Sequence, residues 1–238
     1  MNIALLTAGG SGNRMGQDIP KQFMPIYNQP VIIYTLQAFQ HSKDINAIAV
    51  VCLKGWEVVL QSYANQFGIS KLKWIFKGDT TGPGSIFNGV VGLRNEGCLD
   101  DDIVVIHDGV RPLVSSEIIH ANIETCKKYG YAVTGLVCKE VIMELVNDTV
   151  ADMNIPRERL VRTQTPHTYR LGQLFESLQI ARERGIETVA CCDLMAKIGI
   201  NDQHFVIGSE KNGLKLTRPE DVELFKAMIK TSPEPWMK

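Results

Sequence analysis

Short β-branched runs alternate with helical patterns along almost the whole chain. The predicted strands cover residues 3–7, 47–53, 74–76, 103–107, 132–137 and 204–207. The predicted helices lie near residues 31–39, 56–67, 85–94, 117–129, 171–184 and 219–229. A strand followed by a helix, repeated in this way, predicts an α/β fold. We expect a Rossmann-like, mostly parallel sheet with helices on both faces.

One stretch interrupts this alternation. Residues 144–150 offer a hairpin pattern with a polar tip. The hairpin could project from the body and reach a partner subunit, or it could be an ordinary surface hairpin. We predict a single domain over residues 1–238, with this arm at about 138–156 as a candidate for dimerisation. The tail, residues 232–238, contains two prolines and is expected to be poorly ordered.

The composition narrows the class of protein. The formal net charge is -1, so no global field favours nucleic acid or an anionic membrane. No apolar run approaches the roughly 18 residues of a membrane span, and the start of the chain lacks the basic leader of a secretory signal. The six cysteines form no Cys-x-x-Cys pair, which is typical of reduced core cysteines. We expect a cytoplasmic protein without a nucleic-acid or membrane partner.

A glycine-rich loop follows the first predicted strand and carries two cations, Arg14 and Lys21. Its glycines let backbone N–H groups approach a polyphosphate, and it lies at the carboxyl end of a strand, where open α/β sheets bind ligands. Two cations beside such a loop suit a triphosphate whose charge grows at the α-phosphorus during attack. The residues concerned are Ala8, Gly9, Gly10, Gly12, Arg14 and Lys21.

Two other phosphate-binding motifs fit this loop less well. A P-loop ends in Gly-Lys-Ser/Thr, whereas this loop continues as Gly16-Gln17-Asp18. The dinucleotide fingerprint requires glycine at Met15 and an acidic residue after the second strand, where Lys54 follows Leu53. A surface loop with two solvated cations stays open as the structural alternative.

A run of four apolar residues, 103–106, predicts a buried central strand that ends in a polar cluster. Asp108 stands at its exit, and Arg111 follows three residues later. A carboxylate at this place can hold Mg²⁺ between phosphates, and Arg111 could bind the phosphate of an attacking substrate. The structural alternative is an aspartate that caps the next turn. His107 is expected to be structural, because a phosphate nucleophile needs no general base.

Two helix starts carry capping signals. Ser85 is predicted to be the N-cap of the third helix. Thr217 is predicted to cap the last helix, with Pro219 in the first turn and Glu220 three residues after the cap.

Together these segments resemble the polyol-phosphate cytidylyltransferase family, which includes the 2-C-methyl-D-erythritol 4-phosphate and ribitol-5-phosphate enzymes. The resemblance covers about residues 1–230. The segments that carry it are Ala8-Gly9-Gly10-x-Gly12-x-Arg14-Met15-Gly16 with Pro20-Lys21-Gln22, Gly82 to Gly89, His107-Asp108-x-x-Arg111-Pro112, Arg157-x-x-Leu160-x-x-x-Gln164-Thr165-Pro166 and Lys215-Leu216-Thr217-x-Pro219-Glu220-Asp221.

The resemblance implies a nucleotidyltransferase that uses CTP and Mg²⁺ and forms a homodimer with exchanged arms. It implies catalytic roles for Arg14, Lys21 and Lys215, and places the metal on Asp108. The implied nucleotide-binding residues are Ala8, Gly9, Gly10, Gly12, Ser85 and Asp108. The implied substrate-binding residues are Arg111, Arg157 and Thr165.

The chain departs from the family pattern near the predicted arm. The family reads Val-x-Asp-Thr-Ile where this chain has Glu140 and Val141, and its threonine helps to bind the substrate phosphate. Valine cannot donate a hydrogen bond, and glutamate repels a phosphate. Smaller departures are Thr81-Gly82 near the place of a family arginine and His167 in place of a glutamine. We therefore expect a polyol phosphate other than the methylerythritol compound, used for a cell-wall or capsule polymer.

The sequence thus predicts transfer of a cytidylyl group from CTP to a small polyol phosphate, with release of pyrophosphate. Ribitol 5-phosphate or a related compound is the expected acceptor, and 2-C-methyl-D-erythritol 4-phosphate, as in isoprenoid synthesis, is the alternative. A nucleotide-binding regulatory protein without catalysis and an NAD(P)-dependent reductase are the alternatives from other classes.

Overall fold

A computed structural model of the protein describes residues 1–10 and 19–231. The predictions for Gly12, Arg14 and the tail at 232–238 lie outside the described residues. Within them the chain forms eleven strands and seven α-helices. The strands are β1 (Asn2–Ala8), β2 (Pro25–Ile26), β3 (Gln29–Pro30), β4 (Ala47–Cys52), β5 (Leu72–Lys77), β6 (Ile103–Asp108), β7 (Tyr131–Val137), β8 (Ile142–Asn147), β9 (Val150–Ile155), β10 (Val161–Arg170) and β11 (Phe205–Ile207). The helices are α1 (Val31–His41), α2 (Glu57–Gln66), α3 (Gly82–Asn95), α4 (Ser116–Tyr129), α5 (Leu171–Glu183), α6 (Cys191–Lys197) and α7 (Pro219–Thr231).

Seven of these strands form one sheet, in the order β11-β7-β10-β6-β1-β4-β5. Strands β6, β1, β4 and β5 are parallel neighbours, and β11 is parallel to β7. Strand β10 is antiparallel to both β6 and β7. The expected α/β fold with a mostly parallel sheet is therefore confirmed. Because parallel strands end at the same edge, the carboxyl ends of β6, β1, β4 and β5 all lie together.

Two apolar cores cover the two faces of the sheet. Along β1, Ala4 and Leu6 contact one core, and Ile3 and Leu5 contact the other. The first core contains buried residues of α1, α2, α4 and α7, and the second contains residues of α3, α5 and α6. Fully burying a leucine or isoleucine stabilises the fold by about 1.5–3 kcal/mol, so a strand buried on both faces is held firmly. This burial explains why β1, β4 and β6 read as continuous apolar runs.

Strand β10 is the main element that the sequence analysis did not identify as a strand. Pro166 lies in its middle, and a proline removes a ladder hydrogen bond, which argues against an inner strand. The pairing with β7 shifts register between Gln164 and His167, and this irregularity accommodates the proline. Helix α6 was also not predicted, because its seven residues are too few to show a helical period.

The predicted N-cap at Ser85 is wrong. Helix α3 begins at Gly82, and the side chain of Thr81 accepts a hydrogen bond from the Gly84 N–H at 3.0 Å. Pro83 fits the first turn, where its missing N–H has no intrahelical partner to lose. At the start of α7, Asp221 rather than Glu220 reaches back: its carboxylate accepts from the backbone N–H of Thr217 at 2.7 Å.

The predicted arm is a separate two-stranded sheet formed by β8 and β9. Its side chains are mostly exposed, and they include apolar ones with 44–68% of their surface accessible. These exposed apolar residues are Val141, Met143, Leu145, Val146, Val150 and Met153. An apolar surface of this kind is costly to leave in water.

The expectation of reduced cysteines in the core agrees with the structure. All six cysteines are free and buried. Among the helices in residues 1–10 and 19–231, none has both the length and the hydrophobicity to cross a bilayer.

Candidate active site

A cavity of about 750 Å³ opens at the carboxyl ends of β1, β4, β5 and β6. Residues from these four strand ends, from the segment after β1 and from the segment before α7 line it. They are Thr7, Ala8, Gly9, Gly10, Lys21, Gln22, Leu53, Lys54, Gly78, Asp79, Thr80, Thr81, Gly82, Ser85, Asp108, Val110 and Lys215. Of the predicted site residues that are described, Ala8, Gly9, Gly10, Lys21, Ser85, Asp108 and Lys215 therefore lie at one cavity.

The end of β1 is held close to the end of β5. A Cβ atom on Gly9 would lie 3.1 Å from Ser85 Oγ, and one on Gly78 would lie 3.1 Å from Gly9 Cα. Side chains at either position would push the two segments apart. The buried Gln22 side chain fastens its own segment to the end of β1, because its amide donates to the Ala8 carbonyl at 2.8 Å and to the Gly10 carbonyl at 3.0 Å. Lys21 is thereby carried to the cavity wall.

Asp108 is the charged centre of the opposite wall. Its Oδ2 accepts a hydrogen bond from Arg111 Nε at 2.7 Å and lies 3.1 Å from Lys215 Nζ. The Thr7 hydroxyl lies 3.5 Å from its Oδ1. Burial by itself would raise the pKa of the Asp108 carboxyl, but Lys215 and Arg111 outweigh it and hold that pKa well below its usual range. The carboxylate is therefore ionised at neutral pH.

Lys215 reaches Asp108 because its segment is fastened to the turn after β6. The Leu216 N–H donates to the Val110 carbonyl at 2.9 Å, and the Asn212 side chain donates to the Leu113 carbonyl at 2.8 Å. The Arg111 guanidinium also donates to the Gly213 carbonyl. These bonds join two segments about a hundred residues apart in sequence, so the ion pair is a product of the tertiary fold.

Thr165 and Arg111 each form a hydrogen bond with Asp108. The Asp108 N–H donates to Thr165 Oγ1 at 3.2 Å. The Arg111 side chain is 12% exposed and is occupied by Asp108 and by the Gly213 carbonyl. Neither residue lines the cavity described above.

Arg157 is a third predicted site residue that does not line the cavity. It lies in a 3₁₀ helix, Arg157–Arg159, between the arm and β10. Its guanidinium donates to the Lys139 carbonyl at 2.6 Å, and its Nε lies 3.5 Å from a Glu158 carboxylate oxygen. Glu140 and Val141, where the chain departs from the family pattern, directly follow Lys139 in sequence. They therefore lie near Arg157 at the foot of the arm, which is the segment between β7 and β8.

Ser85 shapes the cavity wall rather than capping α3. Its hydroxyl accepts from the Asp79 N–H at 2.9 Å, which holds the turn between β5 and α3. Within this turn the Asp79 carboxylate accepts from the Thr80 hydroxyl at 3.0 Å and from the Thr81 N–H at 3.2 Å. Asp79 and the two threonines thus build the segment in which the chain departs from the family pattern.

Comparison with known proteins decides the family. The family profile described as "IspD: 2-C-methyl-D-erythritol 4-phosphate cytidylyltransferase" matches residues 2–231. The chain belongs to the IspD family. It is 39% identical to a protein of Lacticaseibacillus paracasei and 40% identical to one of Vibrio parahaemolyticus, both named ribitol-5-phosphate cytidylyltransferase. Each alignment covers 97% of this chain, and covers 98% and 97% of the two relatives.

A solved structure from Anaerococcus prevotii, titled 4-diphosphocytidyl-2C-methyl-D-erythritolsynthase, matches with a TM-score of 0.81. It is 22% identical, and the match covers 96% of both chains. At this identity the likeness concerns the fold.

The family pattern implies a Mg²⁺ ion at Asp108, and the groups around this residue can be compared with the ligands that Mg²⁺ prefers. In the described part of the chain, no three His, Cys, Asp or Glu side chains come together as they do in a metal site made of protein ligands alone. Asp108 offers Oδ1, whose neighbour is the Thr7 hydroxyl at 3.5 Å. Mg²⁺ typically takes one or two carboxylates and completes its shell with phosphate oxygens and water. The residues fit a Mg²⁺ ion that is bound together with a polyphosphate.

Several cavity residues of this IspD-family chain had no assigned role in the sequence analysis, among them three polar ones at strand ends. Thr7, Lys54 and Asp79 each stand at or just after the end of a parallel strand. Their position at or just after the end of a predicted strand could have identified them, since Asp108 was identified in the same way.

Two buried histidines lie on β6 and β10, beside the ion-pair cluster. The His107 ring shares a hydrogen bond of 3.0 Å with the Arg111 carbonyl. Burial lowers the pKa of His107 to about 4 and that of His167 to about 4. Both rings are neutral at pH 7, which agrees with the structural role expected for His107.

We predict that the protein becomes less stable as pH falls, because His167 stays neutral in the folded state. Its folded pKa is about 4, whereas a histidine in the unfolded chain protonates near 6.5. The unfolded state therefore binds more protons between these values, and stability decreases as pH falls through this window. From pH 6.5 to pH 5 this one group should cost about 2 kcal/mol. Urea unfolding of wild type and His167→Gln at both pH values measures the difference.

His167→Gln should lose the part of the pH dependence that comes from protonation of His167 in the unfolded state. His120, which is exposed on α4, supplies the control: His120→Gln should retain the wild-type dependence. An identical pH dependence in wild type and His167→Gln would contradict a neutral buried ring.

Proposed function

We propose that this IspD-family chain transfers the cytidylyl group of CTP to ribitol 5-phosphate, or to a closely related polyol phosphate, and releases pyrophosphate. The observation that carries the proposal is the convergence of the glycine-lined end of β1, Lys21 and the Asp108–Lys215–Arg111 cluster at one cavity. Two relatives with 39% and 40% identity over nearly the whole chain carry the ribitol name.

The chemistry needs charge neutralisation more than proton transfer. A phosphate oxygen of the polyol phosphate forms a bond to the α-phosphorus of CTP, and the bond from that phosphorus to the bridging oxygen of the β-phosphate breaks. The attacking oxygen is already anionic, so no base is required, and the neutral buried His107 has no part in a proton transfer. Lys21 and Lys215 both line the cavity, where their charges would offset the charge that develops at the α-phosphate.

We include Mg²⁺, held by Asp108, in this proposal. The ion would neutralise charge between the phosphates of CTP. Lys215 and Arg111 both contact Oδ2, so Oδ1 is the oxygen of Asp108 that would be available to the ion. The same two cations keep the carboxylate ionised, as metal binding requires.

The foot of the arm favours a ribitol-type substrate over the methylerythritol compound. Glu140 and Val141 are exposed there, and Arg157 is attached to the same segment through the Lys139 carbonyl. A carboxylate and an isopropyl group do not donate hydrogen bonds to a phosphate. The second substrate is then held by other donors than the threonine of the family pattern. A CDP-polyol product would serve a cell-wall or capsule polymer, and the free buried cysteines favour a cytoplasmic setting.

A screen of acceptors against CTP and Mg²⁺ tests the proposed function. Wild-type protein should release pyrophosphate with ribitol 5-phosphate and yield CDP-ribitol, identified by its mass. The other arms of the screen are 2-C-methyl-D-erythritol 4-phosphate, other polyol phosphates, and CTP alone. Lys215→Met supplies the catalytic control: the rate should fall on the order of 10²–10³-fold, because one cation at the α-phosphate is lost.

The outcomes separate the candidates. Preference for the methylerythritol compound would favour the activity in the description of the family profile. CTP binding without pyrophosphate release for any acceptor would indicate a regulatory protein, and would contradict the proposal. An unchanged rate in Lys215→Met would contradict the assigned role of the lysine.

We also propose that the arm joins two copies of the chain in a homodimer. The arm exposes a set of apolar side chains, of which Leu145 and Val146 are 64% and 60% exposed, and a second copy would cover them. Arg157, at the foot of the arm, does not line the cavity of its own chain. A dimer with exchanged arms would bring Arg157 toward the partner's cavity.

Sedimentation at micromolar concentration tests the dimer. Wild type should sediment as a dimer and Leu145→Lys as a monomer, because a buried lysine would have no partner in an apolar interface. Val58→Lys is the matched control, since Val58 is 79% exposed on α2. A monomeric wild type, or a dimeric Leu145→Lys variant, would contradict the proposal.

A further inference from the structure

Lys54 lies in a turn whose backbone is firmly held at the cavity. The turn follows β4, and the N–H of Leu53 donates to the Ala8 carbonyl at 3.0 Å, which joins it to the end of β1. The Trp56 N–H donates to the Leu53 carbonyl at 3.0 Å. Gly55 has a φ of +88°, a conformation that side chains other than glycine rarely adopt. The position of the Lys54 backbone is therefore fixed by the turn.

The same turn is packed against the segment that carries Lys21. The rings of Phe23 and Trp56 stack with their centroids 4.6 Å apart and their planes 19° from parallel. Phe23 belongs to the 3₁₀ helix Lys21–Phe23, and Trp56 immediately precedes α2. Two lysines, Lys21 and Lys54, are thus held on adjoining segments of one wall, and both line the cavity.

The charges of the two walls differ. On the β6 side, Lys215 and Arg111 share the carboxylate of Asp108. Across residues 1–10 and 19–231, no carboxylate forms an ion pair with Lys54, whose side chain is exposed at the cavity. Its ammonium group presents three hydrogen-bond donors and no acceptor, so its preferred ligand is an anion.

Strand spacing gives the distance between the turn of Lys54 and the end of β6, where Asp108 lies. Strand β4 is separated from β6 by β1 alone, so the ends of β4 and β6 stand roughly 10 Å apart. If the α-phosphate lies beside Lys215 and Asp108, the following phosphates can extend across the end of β1 toward β4. Lys54 then faces the end of the triphosphate that departs in the reaction.

We propose that Lys54 binds the outer phosphates of CTP and holds the pyrophosphate leaving group. This inference rests on the proposed function and adds a binding residue to the same site. The lysine acts on the β- and γ-phosphates, so its contribution belongs to CTP and pyrophosphate and not to CMP.

Calorimetric titration of the full-length protein with CTP, pyrophosphate and CMP, each with Mg²⁺, tests this assignment. Lys54→Met keeps the length of the side chain and removes its charge. The variant should bind CTP and pyrophosphate roughly tenfold to a hundredfold more weakly, the range for a lost hydrogen bond to a charged group. CMP binding should change by less than about twofold, well below that range. Lys54→Arg should recover most of the CTP affinity, because it restores the cation.

Lys43→Met is the matched control, since Lys43 is an exposed lysine in the turn that precedes β4, at the opposite end of the same strand. It should bind all three ligands as wild type does. Unchanged CTP affinity in Lys54→Met would overturn the assignment, and so would an equal loss for CMP and CTP, which would place the lysine at the nucleoside. Failure of wild type itself to bind CTP would instead refute the proposed function.

Discussion

The site depends on the carboxylate of Asp108, which forms ion pairs with two cations, Lys215 and Arg111. Asp108 is largely buried, and a buried carboxylate without partners would be costly. Lys215 and Arg111 offset that cost and keep the group ionised, while the carboxylate fixes both cations at the sheet edge. Two cations and one carboxylate leave a local positive charge. This explains how a chain with a formal net charge of -1 can offer a polyphosphate site.

This cluster exists only in the folded chain, because its members come from distant segments. The buried strand β6 brings Asp108 to the edge, the antiparallel β10 brings Thr165 behind it, and the segment before α7 brings Lys215. Hydrogen bonds between the turn after β6 and residues 212–216 set the last of these positions. Apolar cores on both faces of the sheet make the edge rigid, so the charged groups are placed before any ligand arrives.

The sequence was most informative where local pattern and burial agree. The six predicted strands and six predicted helices are all present, since period and turn residues report directly on burial. Asp108 and Lys21 were found because they follow a strand or a glycine loop. The N-cap at Ser85 was wrong because Thr81 and Pro83 provide a stronger start four residues earlier. Strand β10 was missed because a proline and polar residues hide its pairing. The ion pair of Lys215 with Asp108 depends on tertiary contacts that no local pattern contains.

A structure of the protein with bound CTP and Mg²⁺ tests the central claim most directly. The account predicts that the triphosphate occupies the cavity at the end of β1, with Lys21 and Lys215 in contact with its phosphates and the metal ion on Asp108. A triphosphate bound elsewhere, or one whose phosphates lie beyond the reach of Asp108 and Lys21, would contradict it.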